Sequence, residues 1–291
     1  MSLLDWSIVA AGCLLVFAVG LAFARRSSQQ GTEGYFAGDR DVPWWAIGLS
    51  NTATYSSGTG AFVMLVLVFG LAGNWLWWAT WIIWMPLVAI VWARLWRRLQ
   101  IVTTAELIAL RYGGAPARFA RKLYAFVCCF GFAVLIISYI TGFFAKTLQP
   151  LCPLATWQVL LIFGGTTVLY TMFGGLLGVI YSDILQFAIM TAGCAAFLFS
   201  AVGQFGGWTA ILQRVAEIRP EGLAQNPPTV SIEMLTLLLL FVQGWFFAGS
   251  PTAGEGMTAQ RFMAARNESH AVGGQLFNAF LSLSFRTLPL I

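Results

Sequence analysis

Apolar residues run along this chain in blocks of about twenty, without the strict alternation of a half-buried strand, and each block closes on small, aromatic or basic residues. Read in order, the blocks predict spans over Trp6 to Phe23, Trp44 to about Leu71, Trp75 to Ala93, Leu123 to Phe144, Trp157 to Met172, Ile180 to Val202, Ile232 to about Ala248, and a last segment from about Val272 to Ile291. Between the third and fourth, T-T-A-E-L-I-A-L-R-Y (Thr103 to Tyr112) predicts a short amphipathic helix along the membrane surface, capped by Thr103 or Thr104 with Glu106 in its first turn and stopped at Gly113-Gly114. Gly174-Gly175 with Gly178 predicts a tight turn between spans five and six. Gly203 to Thr229 predicts a polar loop holding a short helix near Thr209 to Ile218.

Two blocks break their own pattern. The second span opens on Trp44-Trp45, then runs into S-N-T-A-T-Y-S-S-G-T-G, Ser50 to Gly60, before resuming as a lipid-type segment from Ala61 to Leu71. The seventh dissolves into G-S-P-T-A-G-E-G-M, Gly249 to Met257. A bilayer offers no water to free backbone groups, so such a break belongs against protein or a wetted cavity. Its carbonyls and hydroxyls then suit an ion or a small solute; the alternative for the first run is a Ser/Thr/Gly packing face between helices. Counting the first broken span itself, five spans separate the start of one from the start of the other, so the two segments cross the membrane in opposite directions. That is the arrangement of inverted five-helix repeats that each open on a discontinuous helix.

Composition agrees. The 291 residues are 59% hydrophobic and 9% charged, with mean hydropathy +0.78, which marks an all-α integral membrane protein with about eight membrane segments. The net charge of +5 is topological rather than a sign of nucleic acid. Loops predicted inside hold Arg25, Arg26, Arg40, Arg94, Arg97, Arg98, Arg111, Arg118, Arg121, Lys122, Arg261 and Arg266, whereas those predicted outside hold Lys146, Arg214 and Arg219. Five cysteines fall mostly in apolar blocks with no metal-ligand spacing, and a lone His270 makes no metal site. No nucleophile-base constellation points to an enzyme, and no pore-ring pattern to a channel. Asn267-Glu-Ser269 fits a glycosylation pattern on the wrong side of the membrane. Arg40 stands at the mouth of the first broken helix, as an inner gate or a simple orienting charge, and Arg286 in the last segment needs a partner or snorkels.

Three stretches carry a family likeness: Y-F-A-G-D-R-D-V-P-W-W-A-I-G-L-S (Tyr35 to Ser50) with the Ala53 to Gly58 region, L-Y-T-M-F-G-G-L-L-G-V-I-Y-S-D-I-L-Q (Leu169 to Gln186), and A-Q-R-F-M-A-A-R-N-E-S-H-A (Ala259 to Ala271). The chain resembles the sodium:solute symporter family of sodium-coupled sugar, proline and pantothenate transporters, over about the first half of that family's length. The resemblance implies the N-terminal half of a five-plus-five inverted-repeat transporter: an extra N-terminal helix over 1–26, a first repeat over 43–203, an outer loop over 204–231 and the start of a second repeat over 232–291. It also implies sodium-coupled symport by alternating access in a cell membrane, plasma or inner, without a cofactor beyond the sodium ion. The rival reading is a solute-sensing input module. By motif position the resemblance implies sodium binding by the backbone carbonyls of Ala53 and Ser56, completed by a helix beyond Ile291; carbonyl oxygens suit such a hard cation. A block ending inside an apolar span, without most of a second repeat, leads to the expectation of a piece that does not transport alone.

The other candidates come from residue chemistry and motif together. Ser57 and Asp183 join the cation path, Asp183 as an intramembrane carboxylate or else an interfacial cap. Candidate solute contacts are Thr54, Tyr55, Gly60, Glu255 and Met257. For Thr54 the competing expectation is back-bonding to the carbonyl four residues earlier. Glu255 and Met257 stand where family sugar transporters carry asparagine and a gating tyrosine, so the resemblance does not extend to sugar specificity.

Overall fold

The computed structural model describes residues 3–29, 31–56, 84–152, 154–218, 238 and 256–285. Helix α1 (Leu3–Gln29) is followed by α2 (Gly31–Ala37), a left-handed turn, and α3 (Trp44–Ser56). A π-type stretch (Val88–Ala93) runs into α4 (Arg94–Arg98), then come α5 (Glu106–Arg111), α6 (Gly114–Phe126), α7 (Ala133–Leu148), α8 (Thr156–Val159), α9 (Gly165–Gln204) and α10 (Trp208–Ile218). Helices α11 (Gly256–Met263) and α12 (Glu268–Ser284) close the described chain. Three helical runs among these residues are long and apolar enough to cross a membrane: Leu3–Arg25, Gly114–Leu148 and Thr156–Gln204.

The last of these is too long for one crossing. Its 40-residue portion α9 would extend ~60 Å at 1.5 Å per residue, about twice the hydrocarbon thickness. The chain leaves helical geometry at Gly175, with φ 56° and ψ −159°, a conformation that favours glycine. The break falls at the Gly174-Gly175 turn expected between spans five and six. Span seven, apart from Leu238, and most of the second expected break lie outside the described residues.

Helix α3 packs between α9 and α12, and α1 packs along α9. Backbones come close because glycines face one another. A Cβ on Gly48 would stand 2.9 Å from the Gly274 carbonyl and 2.6 Å from Phe277, and one on Gly274 would stand 2.7 Å from Ile47. Small residues serve membrane helix pairs this way, since lipid supplies no hydrophobic drive for association. A polar seam runs beside them. The Thr52 hydroxyl shares its proton between the Gly48 carbonyl and Asn278 Oδ1, at 2.8 and 2.9 Å, and Asn278 also bonds Gln275 and Ser282. The core gathers where α3 starts: Val42, Ala46, Ile47, Trp96, Leu177, Ile180 and Phe262 are buried together.

Several expectations need correction. The amphipathic helix begins at Glu106, not Thr103, because the Glu106 carboxylate turns back to accept from the Val102 N–H and the Thr103 hydroxyl. Within Gln260 to His270, which holds the inside-loop cations Arg261 and Arg266, residues Arg261, Phe262, Met263, Ala264 and Ala265 are buried rather than solvated. Asn267 is the N-cap of α12, its side chain accepting from the His270 N–H at 2.9 Å. The His270 ring in turn caps α3, its Nδ1 accepting from the Trp44 N–H at 3.0 Å.

The links ahead of α3 and α12 are stitched together. Val42 N–H donates to the Ala264 carbonyl and Arg266 N–H to the Val42 carbonyl, at 3.1 and 3.0 Å, a single parallel bridge. Around it Arg266 pairs with Asp41, Arg97 donates to the carbonyls of Ala265 and Arg266, and Arg98 pairs with Glu268. Arg40, held at φ 55°, pairs with Glu33 and donates to Gln100. The hydrogen bond from Arg98, aided by the nearby charges of Arg98, Arg94 and Arg97, holds the Glu268 carboxyl below the usual range. A depressed carboxyl contributes its stability above its ordinary value of ~4.3 and loses it as pH falls through the folded-state value. Hydrogen exchange of the 264–268 amides, corrected for intrinsic rate, should therefore lose protection on acidification. Glu268→Gln should show the weakened protection at every pH. Equal acid sensitivity in both proteins would assign the effect to another group.

Candidate functional site

The site is built where α3, α9 and α11 meet. Ser50 and Thr54 lie one turn apart, so both hydroxyls sit on the same side of α3. Asp183 reaches them from α9 after the Gly175 break, and Arg261 from α11. Arg261 Nη2 donates to Asp183 Oδ2 at 2.7 Å and to the Thr54 hydroxyl at 2.8 Å. Its Nε donates to the Ser50 hydroxyl at 2.6 Å and its Nη1 to the Met257 carbonyl at 2.9 Å. Ser50 completes the ring by donating to Asp183 Oδ2 at 2.6 Å. The Arg261 and Asp183 side chains are 5% and 14% exposed, so this pair lies away from screening solvent. Every nitrogen of the guanidinium has an acceptor, which is what burial of a charge demands.

Two more polar groups lie nearby in sequence. The Asn51 amide and the Ser182 hydroxyl are buried without a hydrogen-bond partner among the described residues. Such groups cost free energy, so a native fold that keeps them commonly uses them.

The candidates divide accordingly. Asp183 stands at the centre of the cluster. Thr54 is drawn into it, and its own proton goes to the Ser50 carbonyl at 2.9 Å, the expected back-bond. Met257 contributes its carbonyl, while its side chain is half exposed. Ala53 lies between Ser50 and Thr54 in the same turns of α3 and is partly buried. Ser57, Gly60, Glu255 and Arg286 lie outside the described residues, as do the side chains of Tyr55 and Ser56.

Sequence reasoning missed Arg261 and Ser50. Arg261 was counted among the loop cations that orient the chain, yet it is buried opposite the span carboxylate. The signal available was local: Arg261 sits inside A-Q-R-F-M-A-A, whose apolar residues are those of a packed helix rather than a solvated loop.

Comparison with known proteins adds the family. The chain is 28% identical to the sodium/mannose cotransporter SLC5A10 of Bos taurus, over 97% of this chain and 49% of the relative. It is 27% identical to sodium/glucose cotransporter 4 of Homo sapiens, over 96% of this chain and 43% of the relative. It is 27% identical to sodium/myo-inositol cotransporter 2 of Mus musculus, over 98% and 44%. It thus spans just under half the length of these relatives. Its fold is similar to that of a Na+-coupled sialic acid symporter solved in a substrate-bound, outward-open state, with a TM-score of 0.79 at 20% identity over 99% of this chain and 60% of that one. With the sodium:solute symporter family model matching residues 35–285, on top of the buried Asp183 cluster, this chain belongs to the sodium:solute symporter family.

Proposed function

We propose that this chain forms the N-terminal part of a sodium-coupled symporter that takes up a small organic solute by alternating access. The observation that carries the reading is Asp183, held between α3 and Arg261 within a helical run long and apolar enough to cross a membrane. An ionisable group at such a place is retained for an ion or proton path. Sodium would bind at the carbonyls of Ala53 and Ser56 with the Ser57 hydroxyl, oxygen ligands suited to a hard cation. Solute would meet it between the two broken segments, near Thr54, Tyr55, Gly60, Glu255 and Met257. Asp183, hydrogen-bonded to Ser50 on the same helix as those carbonyls, would receive the ion on its way out. Arg261 holds the carboxylate when no ion is there, so the site need not stay charged and unpartnered between cycles. The relatives' names put sugars and cyclic polyols first among solutes. Glu255, a carboxylate with which a cationic group could pair, adds amino compounds to the panel.

The test is sodium-dependent uptake of labelled sugars, polyols, amino acids and carboxylates by the protein expressed from its native gene. Asp183→Ala and Ser57→Ala should each lower sodium-driven uptake by roughly tenfold or more, a loss of ~1.4 kcal/mol of coupling. Uptake indifferent to sodium would overturn the reading. Solute binding without uptake would favour a sensing module instead.

A further inference from the structure

We propose that α5 and α6 form a docking surface for the headgroup of an anionic phospholipid in the leaflet that faces the basic loops. On α6, Arg118, Arg121 and Lys122 stand three and four residues apart and therefore share one stripe of the helix. All three are exposed. The next stripe is apolar and equally bare: Phe119, Leu123, Phe126 and Phe130 are 67%, 49%, 61% and 68% exposed. It continues without a break into the run Gly114–Leu148 that is long and apolar enough to cross the membrane. The cations thus stand where that run leaves the hydrocarbon, at the level of the lipid phosphates, with acyl chains able to lie along the phenylalanines.

Charge balance separates these residues from the other basic loops. Arg97, Arg98 and Arg266 spend their charge on carbonyls or carboxylates of the protein. Around α6 the neutralising groups are few. Glu106 reaches Arg121 at 3.9 Å, the long end of an ion pair, and already accepts two hydrogen bonds. Arg111 lies over the Tyr112 ring at 5.8 Å, and Tyr112 is exposed. Arg118 and Lys122 have no carboxylate within ion-pair distance among the described residues. A phosphate diester that brings its own acyl chains satisfies both stripes at once, whereas free phosphate satisfies only one. Basic residues near an acidic leaflet are each favourable for such lipids, and an aromatic rim suits the interface.

The protein would be reconstituted in phosphatidylcholine vesicles doped with spin-labelled phosphatidylglycerol or spin-labelled phosphatidylcholine, and the motionally restricted fraction of each read by electron paramagnetic resonance. Phosphatidylglycerol should be preferred by about threefold or more. The preference should vanish in the triple exchange Arg118→Gln, Arg121→Gln, Lys122→Gln and persist in Lys146→Gln, at the far end of the same helical run. If the triple variant does not fold, as judged by circular dichroism, Lys122→Gln and Arg118→Gln serve singly, each expected to reduce the preference. Inorganic phosphate in the buffer should leave the preference unchanged. No preference in the unaltered protein, equal preference in the basic-stripe variants, equal loss in Lys146→Gln, or displacement of the lipid by inorganic phosphate would each overturn the proposal.

Discussion

Arg261→Leu is expected to destabilise the protein by ~3–5 kcal/mol, because it leaves the Asp183 carboxylate buried beside one remaining hydroxyl donor. Asp183→Asn should cost a comparable amount, now by stranding the guanidinium. The double exchange should recover much of the loss, since replacing both members of a buried pair removes the uncompensated charge. Apparent melting temperatures of the detergent-solubilised protein, followed by tryptophan fluorescence, give the order of the four proteins. Additivity of the two single effects within about 0.5 kcal/mol would mean that the pair is not coupled. Arg261→Lys keeps the charge but not the fork that reaches Ser50, Thr54, Asp183 and the Met257 carbonyl together, so it should fall between wild type and Leu. Sodium supplies a second reading. If the guanidinium and the ion take turns at Asp183, sodium should raise the melting temperature of Arg261→Leu more than that of wild type, by mass action on the native state.

Gly48→Ala is expected to cost ~1–3 kcal/mol, where the same exchange at an open helical glycine is neutral or stabilising by up to ~1 kcal/mol. The added Cβ would stand 2.6 Å from the Phe277 ring and 2.9 Å from the Gly274 carbonyl, and the carbonyl belongs to a backbone that cannot rotate aside. Helix α3 must therefore move off α12. That movement stretches the Thr52–Asn278 contact, 2.9 Å as it stands, and carries Ser50 and Thr54 away from Arg261. Sodium-driven uptake should fall with stability. Gly142→Ala is the control, since nothing lies within 4 Å of a Cβ there. Equal melting temperatures for the two variants would mean that α3 and α12 do not pack this closely in the membrane.

What the sequence made legible follows the range of each interaction. Long apolar runs become helices because lipid forces the backbone to satisfy itself, so α1, α6–α7 and α9 could be placed from hydropathy alone. The Gly174-Gly175 turn was legible because positive φ is a property of glycine itself. The short helix near Thr209 to Ile218 was found within a residue, at Trp208–Ile218. Pairings across the fold were not legible. Arg261 and Asp183 are 78 positions apart, and a count of loop cations treats each arginine as solvated. Asn267 carried a glycosylation pattern but serves as an N-cap, because three residues of sequence do not say which backbone amide will be close. Thr54 shows the limit for a single residue: both expectations for it rested on the same hydroxyl, and geometry spends that proton on the Ser50 carbonyl.

The bridge between Val42 and the Ala264–Arg266 link, together with the His270 cap on Trp44, has a mechanical consequence. These backbone hydrogen bonds join the two links that lead into α3 and α12. Tied at one end, α3 and the α11–α12 corner make a lever with a common fulcrum instead of two independent rods. A torque on either arm is passed to the other, and any displacement of the pair is taken up against α9, across the Asp183 contact. If the chain works as proposed, loosening the tie should cost coupling rather than affinity.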